Sequence, residues 1–375
     1  MESGSREYPS GPGERVSPRG SRVWRWVGNG VPVLAIVVCA LFVPAFARYG
    51  MRGGWAASTA RVSEFVHTGS WEAASRAEAM AAARVRMPEV AAFLAQDHQL
   101  ELPAPRADIA HFAWKDNRPQ IVRIEGTDYR DPARDVLEIA CTAPVDRDAI
   151  AAVEAHFGWP ARMPARSYFV GDAAESAFER AYRESLASHG CRMALDPRAA
   201  DGRSMVVSPD YAWLVSVSRP LLAPVAAKVI AVFPAYESRH SQRRTVDALT
   251  SFVQRAVPYV IIPPAVDGKE RAGLRTPGTT LLQGGDCDSK CVLLATLIRS
   301  IDPALPVAVV NFRRGGPGDQ GHSMLFVGMD AAADDVTMDL GGRRMVAVET
   351  TDGWDIGRVP NEFDPAEMQA FFMIP

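Results

Sequence analysis

Cysteine and histidine are scarce in this chain, and neither sign of charge is in excess. The five cysteines, at positions 39, 141, 191, 287 and 291 of 375 residues, are too scattered for a disulfide-stapled scaffold. No cluster of histidines lies near any of them in sequence. Zinc takes three or four ligands, so no metal and no other cofactor is expected. The formal charge is −3 with acids and bases evenly mixed, and the basic face that nucleic acid requires is missing. Internal repeats are missing too, which excludes a solenoid. At 47% hydrophobic content the chain has enough apolar residues for a full core and about two folded units.

Residues 1–28 are rich in Gly, Pro, Ser and Arg, lack an apolar period, and are expected to be a disordered basic tail. The run VPVLAIVVCALFVPAFA, residues 31–47, carries no charge. Trp24 and Trp26 stand at its entry and Arg25 and Arg48 bracket it, so residues 29–48 read as a single-pass anchor with the C-terminal bulk outside the cytoplasm. Its rival is a signal peptide cleaved after Ala45-Phe46-Ala47. Within that run Cys39 is an apolar filler.

Residues 49–108 read as a helical stalk of two helices broken at Gly69. Between 109 and 235 lies an α+β region with no motif of chemistry. Its expected strands are HFAWK, QIVRIEG, DVLEIACTA, SYFVG, RSMVVS and YAWLVSVSR, and its expected helices are Asp146 to Phe157 and AAESAFERAYRESLASHG. Cys141 reads equally as a buried free thiol or as a partner of Cys191. A boundary is expected at 232–240. Residues 236–375 then read as one helix, opened by GGDCDSK, backed by an antiparallel sheet of PVAVVNFR, HSMLFVGMD and RRMVAVETT. The fold class is α+β.

The stretch GGDCDSKC, residues 284–291, holds two thiols four apart. A CxxxC bridge within one helix is strained, which disfavours a redox pair. Asp286 suits a helix N-cap and puts Cys287 in the first turn, where unpaired N–H groups and the helix dipole favour thiolate. Asp286 and Asp288 oppose that, so a cationic partner is needed. Cys291 falls on the apolar face with Leu294 and Ile298. His322 opens a strand after a glycine-rich loop, and Glu349 shares a strand face with Met345 and Ala347. The two meet if their strands pair about a centre near 335 to 336. Gly341-Gly342 signals an extra hairpin that leaves this register open. Nucleophile Cys287, base His322 and orienting acid Glu349 form a thiol acyl-transfer constellation. Asp352 and Asp355 are alternative acids. The oxyanion donors are expected to be the Cys287 N–H and one group more, Gln283 or Tyr259.

The runs LTSFVQRAVPYVIIPP, GGDCDSKCVLLATLIRSI, GHSMLFV and VAVETTDGWDIGRVP, over about 240 to 360, resemble the bacterial transglutaminase-like cysteine proteinase superfamily, a branch of the papain-like fold. Many relatives carry a second acid where this chain has Ser289 and a small residue where it has Cys291. The resemblance implies a Cys-His-acid triad at Cys287, His322 and Glu349. It also implies a peptide or protein substrate whose acyl groups are hydrolysed or transferred. That superfamily includes inactive members as well, so a peptide- or envelope-binding module is the other reading.

Overall fold

The computed structural model describes residues 45, 55–86, 88–96, 98–116, 121–124, 127–130, 137–160, 173–195, 205–233, 242–313, 321–360 and 364–375. The basic tail, the anchor segment apart from Ala45, the strand expected at SYFVG and most of the loop before His322 lie outside the described residues. Contacts group the chain into two units, Met1–Ala92 with Asp172–Phe178, and Phe93–Gly171 with Glu179–Pro375.

In the first unit, α1 (residues 55–68) ends where Gly69 takes φ +66, a left-handed value that favours glycine, and α2 (Trp71–Arg86) begins. The two helices clasp each other. Arg61 reaches the buried Glu78 at 2.9 Å and lies 5.4 Å from the Trp71 ring, on which Phe65 also stacks. The helix pair expected around Gly69 is therefore present. Helix α3 (Pro88–Leu94) follows.

The second unit is a mixture of helix and sheet. Strand β1 (Asp108–Asp116) pairs antiparallel with β4 (Leu137–Val145), and β2 (Ile121–Ile124) with β3 (Thr127–Arg130). Helix α4 (Arg147–His156) is capped by Asp146, whose carboxylate accepts from the Ala149 N–H. Short β5 (Trp159–Pro160), α5 (Ala173–Ser188), β6 (Cys191–Leu195) and β7 (Met205–Pro209) lead to the long α6 (Tyr211–Val232). Then come α7 (Gln242–Ala256), β8 (Ala265–Val266), β9 (Lys269–Glu270), α8 (Pro277–Gln283) and α9 (Cys287–Ile301). The last strands are β10 (Val307–Phe312), β11 (His322–Val327), β12 (Thr337–Leu340), β13 (Arg343–Val348) and β14 (Met368–Ile374).

The sheet behind the site is antiparallel throughout and ordered β12-β13-β11-β10-β14. Helix α9 packs on β10 and β11, and α6 and α7 pack on α9. From Ser289 to Arg299 every residue of α9 is buried, so the helix is the centre of the core rather than an amphipathic cover. The Gly341-Gly342 turn does make the extra hairpin, β12 with β13.

The segment YAWLVSVSR is not a strand. It opens α6, where Asp210 caps the helix by accepting from the Trp213 N–H. Tyr211, Leu214, Val215, Ser218, Leu222, Val225, Ala226 and Val229 are its buried residues, at helical spacing, and packing on α9 and β4 accounts for them. By length and composition α6 is the one described helix that could cross a membrane.

Nor does a separation appear near residue 236, because both sides of it lie in the second unit. Glu154 of α4 joins them. Its carboxylate takes Arg271 Nη1 at 2.5 Å and the N–H and hydroxyl of Thr276 at 3.0 and 2.6 Å, and β5 pairs with β9.

Three of the seven histidines meet in this unit. His98, His156 and His189 have ring centroids 4.6 and 4.9 Å apart, with His156 and His189 nearly parallel. Burial holds His189 down to about 4, against the pull of the Ser185 carbonyl, and the charges of His156, His98 and Lys269 press it the same way. An unfolded histidine protonates near ~6.5, so below that pH the unfolded chain binds a proton that the folded chain still refuses. Stability should therefore fall as pH drops from ~6.5 towards ~4, by on the order of 3 kcal/mol from this group. Urea midpoints at neutral and mildly acid pH, compared between the native chain and His189→Gln, check this: the substitution should flatten the decline.

Candidate active site

The helix that carries the first candidate starts from a constrained loop. Gly285 donates to the Pro258 carbonyl at 3.1 Å and accepts from the Val260 N–H at 3.0 Å. A Cβ on Gly284, whose φ is +82, would lie 2.6 Å from that same Pro258 oxygen. Only glycine lets the two segments come so close. Asp286 then caps α9, accepting from the Ser289 N–H and, at 2.5 Å, from its hydroxyl. Cys287 is the first helical residue and is half-buried, while Cys291, one turn on, is fully buried.

The second and third candidates meet directly. His322 Nε2 lies 2.7 Å from Glu349 Oε2. Strand pairing puts Leu325 opposite Val348, a register about one residue beyond the expected centre, so the two side chains meet diagonally rather than face to face. Glu349 is 1% exposed. Its other oxygen accepts from the N–H groups of Thr350 and Thr351 and from the Thr351 hydroxyl, at 2.9, 2.7 and 2.6 Å. Burial alone would raise this carboxyl, but the hydrogen bond and charge of His322 and the Thr351 donors outweigh it and hold it below the ordinary carboxylate range. Asp352 and Asp355 are exposed, and neither bonds His322.

Cys287 sits in the same corner. Its carbonyl accepts from Thr350 Oγ1 at 3.5 Å, and Thr350 follows Glu349. Among the described residues no hydrogen bond joins Cys287 to His322. Because Nε2 is held by Glu349, Nδ1 is the imidazole atom left for the thiol.

The helix terminus does not lower this thiol. Burial pushes Cys287 up to about 12, Asp288 and Asp286 add to the rise, and the N–H and hydroxyl of Ser323 act against it. Cys287 is in the first turn as the sequence indicates, but that turn supplies less than expected. Burial, with the neighbouring Asp286 carboxyl, also holds Asp288 well above the ordinary carboxylate range.

Several contributors carried no motif. Lys290 is 1% exposed and donates to the Val257 carbonyl at 3.0 Å, closing the end of α7. Burial brings its ammonium down to about 8. Gln254 donates to the carbonyls of Glu349 and Trp354 at 2.8 and 2.9 Å, which holds the strand end that presents Glu349. Of the two expected oxyanion donors, Tyr259 is bridged to Gly285 and half exposed, whereas Gln283 is exposed with its carbonyl bound by Arg275. Among the described residues no group of three or more His, Cys, Asp or Glu is placed to hold a metal ion.

No family model matches the chain, and neither does any curated protein or solved structure compared with it.

Chemically, the corner offers one accessible sulfur, one imidazole with a nitrogen that bonds no other side chain or backbone group among the described residues, and one carboxylate fixed by four donors. The other described thiols are buried, which sets a clear expectation. Under native conditions iodoacetamide should modify Cys287 and spare Cys141, Cys191 and Cys291, which should react only in denaturant, as peptide mass analysis would read. Cys291→Ala should keep the fold at a cost of about 1 to 2 kcal/mol, measured by chemical denaturation.

Proposed function

We propose that this chain is a thiol enzyme of transglutaminase-like type, with a papain-like C-terminal core. It hydrolyses or transfers peptide or amide acyl groups outside the cytoplasm and is anchored by residues 29–48. The observation that carries the reading is the 2.7 Å His322–Glu349 bond at the corner where α9 presents Cys287. Cys287 Sγ attacks the substrate carbonyl, and its proton passes to His322 Nδ1. The tetrahedral adduct collapses as the leaving amine takes that proton, giving an acyl thioester. Water or an acceptor amine then gives its proton to His322 and displaces the sulfur, restoring the thiol. Glu349 keeps the imidazole turned and stabilises its charged form. The Cys287 N–H, at the head of α9, is one donor to the oxyanion.

A second reading, a transglutaminase-like module that binds peptide or envelope partners without turnover, draws on the raised Cys287 thiol. Imidazole dependence separates the two. In the enzyme, alkylation of Cys287 by iodoacetamide at neutral pH should fall about 100-fold in His322→Ala and about tenfold in Glu349→Gln, as general-base and orienting groups contribute. Asp352→Asn and Asp355→Asn should change it little. Equal rates in the native chain and in folded His322→Ala would leave the binding module as the reading.

A further inference from the structure

The last turn of α7 carries one side chain that reaches the acid's own loop. Gln254 is 8% exposed, and its Nε2 donates to two carbonyls five residues apart, those of Glu349 at 2.8 Å and Trp354 at 2.9 Å. Because both partners are acceptors, they fix the orientation of the amide, with nitrogen toward the loop. Its oxygen is buried and has no partner among the described residues. A buried acceptor left so costs free energy, and an apolar side chain would fill the same space without that cost.

The residues between those two carbonyls build the surroundings of Glu349. The N–H groups of Thr350 and Thr351 and the Thr351 hydroxyl donate to its Oε1, while Thr350 Oγ1 lies 3.5 Å from the Cys287 carbonyl oxygen and 3.4 Å from Cys291 Sγ. Gln254 bridges this loop across its ends. It is held in turn from the helix of the candidate nucleophile, where Lys290, three residues after Cys287, donates to the Gln254 carbonyl at 3.4 Å and to the Val257 carbonyl at 3.0 Å. The contacts close a circuit: along α9 from Cys287 to Lys290, across to Gln254, on to Glu349, and back through Thr350 to Cys287.

We propose that Gln254 is a positioning residue of the candidate triad: its amide staples the loop that carries Glu349, and Lys290 fixes that staple to the helix of Cys287. The His322–Glu349 pair and the sulfur are thereby kept at one separation. This rests on Cys287 being the nucleophile of the reaction proposed above, and it names what holds the acid in place beside it.

The need for a staple follows from how Glu349 is satisfied. Three of its four donors come from the two residues that follow it, so acid and threonines can shift as one body without uncovering the charge. Such a shift would lose the 2.7 Å contact with His322 instead. An orienting group works only within about 0.5 Å of its productive place, and nothing inside the loop sets that place relative to α9. A tether from another element does. Gln254 stands on α7, which packs on α9, and it uses both its polar ends at once: the backbone carbonyl takes Lys290 and the side-chain amide takes the loop. A lysine suits the far end of the tether, because its ammonium gives several bonds from one point and at 1% exposure is shut off from solvent.

The test is the rate of Cys287 alkylation by iodoacetamide in the full chain, read by peptide mass analysis in four proteins: the native chain, Gln254→Met, Glu349→Gln and the double variant. Methionine keeps the side-chain length and removes the donors. Protection of Cys141, Cys191 and Cys291 in the same digest reports that each protein is folded, and Gln254→Asn, which draws the amide back from both carbonyls, takes the place of Gln254→Met if that variant does not fold. Gln254→Met should slow the neutral-pH reaction about three- to tenfold, as one hydrogen bond's worth of orientation does. The double variant should be no slower than Glu349→Gln alone, because both changes remove the same orientation. At the alkaline end of the pH profile, where hydroxide rather than the imidazole takes the thiol proton, Gln254→Met should match the native chain. Lys290→Met should act in the same direction by less, and a silent Lys290→Met removes Lys290 from the proposal. An unchanged rate in the folded Gln254 variant, losses that multiply in the double variant, or an equal fall across the whole profile overturns it. If His322→Ala slows alkylation while Gln254→Met does not, the staple is wrong and the thiol enzyme stands; if His322→Ala is silent, the enzyme reading fails first.

Discussion

A buried carboxylate must be surrounded by donors, and at Glu349 that requirement organises the corner. An uncompensated carboxylate at 1% exposure would cost several kcal/mol. Four donors offset this: His322, the Thr350 and Thr351 N–H groups, and the Thr351 hydroxyl. Three of them come from the two residues after Glu349, so the chain must turn tightly there. That turn delivers Thr350 to the Cys287 carbonyl and to Cys291. The fourth donor ties β13 to β11 and fixes which nitrogen of His322 remains open. Gln254, bonded to the Glu349 carbonyl, extends the same constraint to α7.

At the sulfur, burial dominates, and the flanking acids add to it. A first-turn thiol gains from the free N–H groups and the dipole, typically by ~0.3–1 kcal/mol near a surface. Desolvation and two flanking carboxyls exceed that, because charge burial is worth several pK units. Under the proposed thiol chemistry, the charge on such a sulfur is created when the imidazole receives its proton.

The placement of the candidate residues was more legible than the scaffold. Asp286 as a cap, Cys287 in the first helical turn with Cys291 buried one turn on, His322 at a strand mouth and Glu349 at a strand end follow from local rules of capping and periodicity, and each is where those rules put it. The register shift at the Gly341-Gly342 hairpin was signalled but could not be counted, since side-chain period fixes the face and not the offset. Lys290 and Gln254 gave no signal, because single polar residues on helices look alike until a third dimension joins them to their partners. The misreading of YAWLVSVSR has a definite cause: aromatic and β-branched residues in near alternation favour a strand, and Pro220 and Pro224 each remove one helical bond. Tertiary burial on α9 overrode both.

That same helix decides how the middle of the chain relates to the site. Its apolarity matches a membrane span in length and hydropathy, yet its buried face runs from Tyr211 to Val229 against α9 and β4. Withdrawing it into a bilayer would uncover the helix that carries Cys287 and break the packing of Tyr211 on Phe372. Burial in the core explains that face, while Val217, Leu221 and Val232 stay partly exposed. With Glu154 clamping Arg271 and Thr276 from the other side, the region before residue 236 is part of the frame on which the candidate triad stands. A segment of residues 236–375 cut free would lose both supports, which is why the unit has to be treated as one from Phe93 onward.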